Sequence, residues 1–168
     1  MRRRLARDGV AHELPQAAAP ADLANDGVTA ICENRSEMLG IGTYESGLNR
    51  FDRRRGTFAR YDERHGLPNN VVYGILEDDR GRLWLSTNRG LSRFDPRTAT
   101  FRSYDVHDGL QSSEFNSGAY HRGDRGIFYF GGNSGFNAFD PERVLAQRPD
   151  LVVSRSVLLG SGRHRRFW

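Results

Sequence analysis

Asp79-Arg80-Gly81-Arg82-Leu83-Trp84-Leu85-Ser86-Thr87-Asn88-Arg89-Gly90-Leu91-Ser92-Arg93-Phe94-Asp95-Pro96 is the stretch that decides the fold, because the chain repeats it on both sides. Upstream, Leu39-Gly40-Ile41-Gly42-Thr43 precedes Gly47-Leu48-Asn49-Arg50-Phe51-Asp52, and Phe58 and Tyr61 follow where Phe101 and Tyr104 come later. Gly47 and Gly90, Phe51 and Phe94, Phe58 and Phe101, and Gly66 and Gly109 all stand 43 positions apart. Downstream, Asp124-Arg125-Gly126-Ile127-Phe128-Tyr129-Phe130 leads to Gly135-Phe136-Asn137-Ala138-Phe139-Asp140-Pro141, displaced by 45 from Asp79 through Pro96.

Inside one unit the pattern reads strand, turn, strand, turn, strand, turn, strand. Val71-Val72-Tyr73-Gly74-Ile75-Leu76 is a nearly continuous apolar run, as a strand covered on both faces requires. Asp78-Asp79-Arg80-Gly81 is a hairpin turn, with Gly81 free to take a positive φ. Leu83 to Thr87 is a second strand and Asn88-Arg89-Gly90 a second turn. Leu91-Ser92-Arg93-Phe94 and Phe101-Arg102-Ser103-Tyr104 alternate apolar with polar on either side of the turn Asp95 to Ala99. That alternation is read as placing Phe94 with Leu91, and Phe101 with Tyr104, near a common apolar layer. A period of this length, filled with short strands, matches the roughly 40–45 residues of a four-stranded propeller blade. The fold class is therefore all-β: about three consecutive four-stranded antiparallel β-propeller blades in an incomplete ring, near 26–66, 67–110 and 111–146. A lone blade cannot cover both of its faces, so each must stack on a neighbour. A helical turn is expected only at Pro141 to Ala146.

Composition agrees with this and excludes several classes. The 168 residues suit one domain, or two very small ones, and 37% hydrophobic with 11% aromatic residues is too aromatic for a disordered tail and too polar for a membrane protein. No run approaches the about 20 apolar residues of a spanning helix. Arg2, Arg3, Arg4 and Arg7 resemble the charged start of a signal peptide, but Asp8, His12 and Glu13 occupy the place of its apolar segment, so no export signal is expected as the chain is written. All 25 basic residues are Arg, and eight of them lie at positions 1–7 and 155–168. The body between is net acidic, so no nucleic-acid partner is expected. A single Cys32 excludes an internal disulfide framework and a multi-cysteine metal site. Residues 1–25, rich in Ala and Pro with scattered charge, match no unit and are expected to form no fixed structure.

The units resemble the two-component regulator propeller repeat of the sensor regions of bacterial hybrid histidine kinases and related receptors. Its pattern is an inner strand ending Ile-x-Glu-Asp, then Gly-x-Leu-Trp-Ile-Gly-Thr, Gly-Leu-x-x-Phe-Asp and Phe-x-x-Tyr, which residues 71–104 follow nearly throughout. Gly109 to Gly118 followed by Phe130 to Phe139 resembles the last blade of such a propeller. Pro149 to Val157 resembles the first strand of the immunoglobulin-like (triple-Tyr) domain that follows it, so 147–168 is expected to be that strand, truncated. The first unit departs from the pattern. Glu37 replaces the turn glycine and Gly40 stands where Trp84 does, which leaves a void or demands a compensating neighbour. The resemblance implies a periplasmic sensor without catalysis of its own, passing a signal through the remaining blades and the immunoglobulin-like domain to an output domain. No cofactor is implied.

A propeller presents its ligands to the loops at the blade ends. The loops entering each inner strand and those between second and third strands are expected to share one rim. That rim holds Tyr44, Glu45, Asn69, Asn70, Asn88, Arg89, Glu114, Asn116 and Asn133, which suit hydrogen bonding to a small molecule or oligosaccharide. The same Asn and Ser residues beside glycine are also ordinary turn chemistry. Trp84 and its counterpart Tyr129 are read as core aromatics. His65, His107 and His121 lack a metal-ligand spacing, and Asp78-Asp79 belongs to a hairpin turn rather than a calcium loop. No nucleophile elbow, P-loop or dinucleotide fingerprint occurs. Two alternatives remain beside the sensor: a lyase-type propeller enzyme, and an interaction scaffold forming homo-oligomers through exposed blade edges.

Overall fold

The computed structural model describes residues 23, 27–34 and 38–146; the expectations for Glu37, for 147–168 and, Leu23 aside, for 1–25 lie outside them. The first sheet comprises β1 (Val28–Glu33), β2 (Met38–Thr43), β3 (Leu48–Asp52) and β4 (Thr57–Tyr61), in that order. The second comprises β5 (Val72–Glu77), β6 (Leu83–Thr87), β7 (Gly90–Asp95) and β8 (Thr100–Tyr104). The third has three strands among the described residues, β9 (Phe115–Arg122), β10 (Phe128–Gly132) and β11 (Gly135–Phe139), after which the chain turns into the short helix α1 (Pro141–Ala146). Each strand pairs antiparallel with the next, so each sheet is a meander of hairpins. These are propeller blades.

Turn chemistry fixes the hairpins. Gly90 opens β7 at φ 87, and a Cβ there would collide with the Tyr104 carbonyl, so the glycine is required for space as well as for backbone sign. Gly47 meets the same restriction against Tyr61 in the first blade. The outer turn differs between blades: Gly56 holds the left-handed position in the first, but Ala99 holds it in the second at φ 54.

The blades stack through two apolar layers of one design. Leu48, Tyr61 and Leu67 of the first blade pack against Val72, Ile75, Leu83, Leu85 and Phe94 of the second. Their counterparts Leu91, Tyr104 and Leu110, with Trp84, pack against Phe128, Phe130 and Phe139 of the third. A repeat in sequence has become a repeat of interfaces. Phe94 therefore does not share a layer with Leu91, nor Phe101 with Tyr104. Residues three apart on a strand point to opposite faces, so Phe94 meets Tyr61 at 4.6 Å in one layer while Tyr104 stacks on Trp84 at 5.3 Å in the other.

Tyr129 is a second correction. It pairs within the third blade as Trp84 does in the second, but it is 37% exposed where Trp84 is 1% exposed. The difference is the neighbour: Trp84 faces the third blade, and Tyr129 faces outward from the last described one. Gly40 does stand in the register of Trp84, opposite Arg50 as Trp84 is opposite Arg93. There the compensating neighbour is Leu83, whose Cδ1 lies 3.2 Å from where a Cβ would be, with Ile75 behind it. A similar close approach lets the Tyr120 ring of the third blade lie against the bare backbone of Gly74, where any Cβ would strike it.

Candidate functional site

The rim is built from the connections between blades. Gly47 donates its N–H to the Asn70 carbonyl at 2.9 Å, and Gly90, its counterpart, to the Ser113 carbonyl at 2.6 Å. Each blade's second hairpin is thereby tied to the segment that enters the next blade's inner strand, which brings the two loop sets onto one rim.

Single turns of 3₁₀ helix at Glu63–His65 and Val106–Asp108 precede those segments. Strand periodicity alone reads these segments as loop. Their signal is an aspartate four positions before a glycine: Asp62 and Asp105 accept N–H bonds from the turn, and Gly66 and Gly109 close it with left-handed backbone. Asp62 is buried, bonded by Arg64 at 2.6 Å and by His65 at 2.9 Å. The hydrogen bond from Arg64 is the main cause that lowers its carboxyl to about 2, against burial, which raises it. A carboxyl held below its unfolded value contributes stability above about pH 4, and that contribution is lost as pH falls toward 2. Because the Arg64 side chain is 80% exposed, solvent screening keeps the effect to about 1 kcal/mol. Urea midpoints at pH 5 and pH 2 are expected to differ by more in the native chain than in Asp62→Asn.

Three blades contribute to the central group. Tyr44, in the β2–β3 loop and 48% exposed, meets Tyr73 edge-on, with ring centroids 6.0 Å apart at 87°. Tyr73 sits where the pairing of β5 with β6 shifts register between Val72 and Gly74. The bulge frees it from the regular face alternation and turns it toward the rim. Its hydroxyl donates to Asn88 Oδ1 at 3.2 Å. Burial, followed by Tyr44 and the Glu114 charge, pushes the Tyr73 phenol above its usual value, so it stays a neutral donor. Glu114, just before β9, accepts from Asn133 Nδ2 at 2.6 Å across the β10–β11 turn. Gln111 closes that end, its side-chain oxygen accepting the Ser134 N–H at 2.8 Å.

The nine expected site residues divide. Tyr44, Asn88, Glu114 and Asn133 lie in this group. Glu45 and Arg89 are exposed at the neighbouring hairpin tips, and Asn116 is exposed at the start of β9. Asn69 and Asn70 are engaged in turn bracing: Asn69 Oδ1 accepts the Val71 N–H, and Asn70 Oδ1 accepts the Glu63 N–H while its own N–H returns to Glu63. Tyr73 was missed, because a bulge inside an apolar run leaves no mark in the sequence. The lone Cys32 lies on β1 with its thiol pushed up by burial and by the Glu77 charge, the behaviour of a small packed hydrophobe. Chemically, the group offers aromatic faces, carboxamides and one carboxylate already engaged by an amide. It is equipped to hold hydroxyl groups.

The family model described as "Two component regulator propeller" matches residues 66–89, which run from the end of the first 3₁₀ turn through the second blade's middle hairpin. Histidine kinase P4 of Formosa agariphila is 33% identical over 89 residues, spanning 52% of this chain and 6% of that kinase. The extracellular domain of a one component system of B. thetaiotaomicron superposes with a TM-score of 0.64 at 20% identity, over 81% of this chain and 18% of that one. Virginiamycin B lyase of Staphylococcus aureus superposes at 0.54 with 18% identity, over 72% of this chain and 41% of the lyase. The two structures share the fold, and residues 66–89 match the two-component regulator propeller repeat. The chain spans only a small part of the histidine kinase and of the extracellular domain. Among the described residues no helix is long and apolar enough to cross a membrane.

Proposed function

We propose that this chain, built of two-component regulator propeller repeats, is a slice of the periplasmic sensor region of a signalling receptor, and that its rim binds a neutral, hydroxyl-rich small molecule or oligosaccharide without transforming it. The observation that carries this reading is the Tyr44–Tyr73 ring pair flanked by Asn88 and by the Glu114–Asn133 pair, drawn from three consecutive blades. Phenol rings cover the C–H faces of a sugar, and amides and a carboxylate bridge adjacent hydroxyls. The match to a histidine kinase supports the receptor setting, in which the remaining blades and an immunoglobulin-like domain are the partners that carry the signal onward.

The test is calorimetric titration of the whole chain with a panel of neutral tetra- to hexasaccharides. At least one is expected to bind, and Tyr44→Ala to weaken it about tenfold, the loss of roughly 1.4 kcal/mol of stacking. Tyr44 is exposed, so the variant keeps its unfolding temperature. No heat from any saccharide, or binding indifferent to Tyr44, would overturn the reading. So would turnover of quinupristin in the presence of Mg²⁺, the outcome that the lyase alternative requires.

A further inference from the structure

We infer that a bulge of the third blade, Asn116 to Ala119, sets the specificity of the rim by reading two adjacent hydroxyls of one sugar unit. This rests on the saccharide reading of the rim and adds the element that chooses among saccharides. The inner strands β1, β5 and β9 come together, β9 lying against β5 and reaching β1. Each is bulged at the same place, beside the residue that leads into its rim hairpin. In the first blade Val28 pairs with Thr43 and Ala30 with Gly42, so Thr29 is surplus. In the second Val72 pairs with Thr87 and Gly74 with Ser86, so Tyr73 is surplus. In the third Phe115 pairs with Gly132 and Tyr120 with Phe130, so the four residues Asn116 to Ala119 span Gly131 alone. The bare backbone of Gly131 makes the room: Ala119 Cβ lies 3.0 Å from where a side chain there would begin.

The three bulges differ in what they reach. The Thr29 hydroxyl donates to the Val72 carbonyl and ties the first blade to the second. Tyr73 turns to the rim and bonds Asn88. The third bulge projects instead: Asn116, Ser117 and Gly118 are exposed, Gly118 takes φ 72, and a Cβ on it would meet nothing within 4 Å. Surplus residues add nothing to strand pairing, and a bulge serves to re-aim side chains. Buried Phe115 roots the loop directly after Glu114, so it rises beside the Glu114–Asn133 pair. Neither the Asn116 nor the Ser117 side chain has a partner among the described residues. A carboxamide sets a donor beside an acceptor, and a hydroxyl is both at one atom; together they match two neighbouring sugar hydroxyls. Aromatic faces accept any sugar ring. Tyr44 and Tyr73 therefore supply affinity, and the bulge supplies choice.

Calorimetric titration of the neutral tetra- to hexasaccharides into the whole chain and two bulge variants tests this. One variant combines Asn116→Ala with Ser117→Ala, both at exposed positions. The other lacks Ser117, Gly118 and Ala119, which leaves the one-residue bulge that β1 and β5 already carry. In each, the preference of the native chain for its best saccharide over the next is expected to fall about tenfold, the loss of one or two hydrogen bonds. The double substitution is expected to keep its unfolding temperature and decides alone if the deletion does not fold. Tyr44→Ala is expected to weaken every saccharide alike and keep their order. A native chain without preference, an order preserved or a uniform loss in the double substitution, or a lowered unfolding temperature there, would each overturn the inference and leave the saccharide reading standing. A native chain that binds no saccharide would overturn both.

Discussion

Replacing Trp84 by alanine is expected to destabilise the protein by about 3–5 kcal/mol, the range for truncating a buried large aromatic side chain. Trp84 is 1% exposed and stacks on Tyr104 at 5.3 Å within its own blade. It meets Phe139 at 5.0 Å and Phe128 edge-on at 6.4 Å in the next one. The cavity would open in the layer between the second and third blades, so the third blade is expected to lose its packing first. At about 2–4 °C per kcal/mol for a chain of this size, the unfolding midpoint would fall by roughly 6–20 °C. Trp84→Phe keeps a ring but forfeits the indole N–H bond to Asp78 Oδ2, and is expected to cost about 1–3 kcal/mol. Urea denaturation followed by circular dichroism measures both. Equal losses for the two variants would mean that the hydrogen bond, and not the packing, holds the layer.

The second large effect is expected at Asp78. Its carboxylate is completely buried and accepts from the N–H groups of Arg80 and Arg82, from Arg82 Nε at 2.9 Å and from Trp84 Nε1 at 3.0 Å. One side chain thus shapes the β5–β6 hairpin, neutralises a buried guanidinium and anchors the central indole. Asp78→Ala leaves those donors unpaired and Arg82 with only the half-exposed Glu142, 3.2 Å away. Removing one partner of a buried pair costs about 3–5 kcal/mol. Asp78→Asn keeps an acceptor and is expected to lose less. Glu142→Ala, at a more exposed site, is expected to lose under about 1 kcal/mol. The order Ala, Asn, then Glu142→Ala in urea midpoints checks the account; a tolerated Asp78→Ala would refute it.

Strand positions were legible because strands announce themselves locally. Leu83–Thr87 falls where its apolar run between two turn signals places it, and the helical turn at Pro141–Ala146 where proline opens it. The period of 43–45 residues revealed the repeated architecture. What each side chain faces was less legible. Leu91 and Phe94 look like neighbours in an apolar list, yet strand parity sends them into different layers, and the list does not weigh parity. Tyr129 repeats Trp84 in sequence, but its burial depends on a neighbour rather than on its own identity. At the rim, the aspartates and glycines of the 3₁₀ turns were visible though unread. The bulge that turns Tyr73 toward the rim was not visible, since one unpaired residue alters no residue type.

The two interblade layers are assembled from the same positions in the same register, and this bears on how such a chain can change over generations. A tandem duplication that copies one such unit in frame inserts a segment whose leading and trailing walls share the register of those flanking the insertion. Loss of a whole unit keeps that register in the survivors. Lineages can therefore vary the circumference of the array by refitting only local packing, such as the space that Leu83 fills beside Gly40, while the loops at its edge diverge freely.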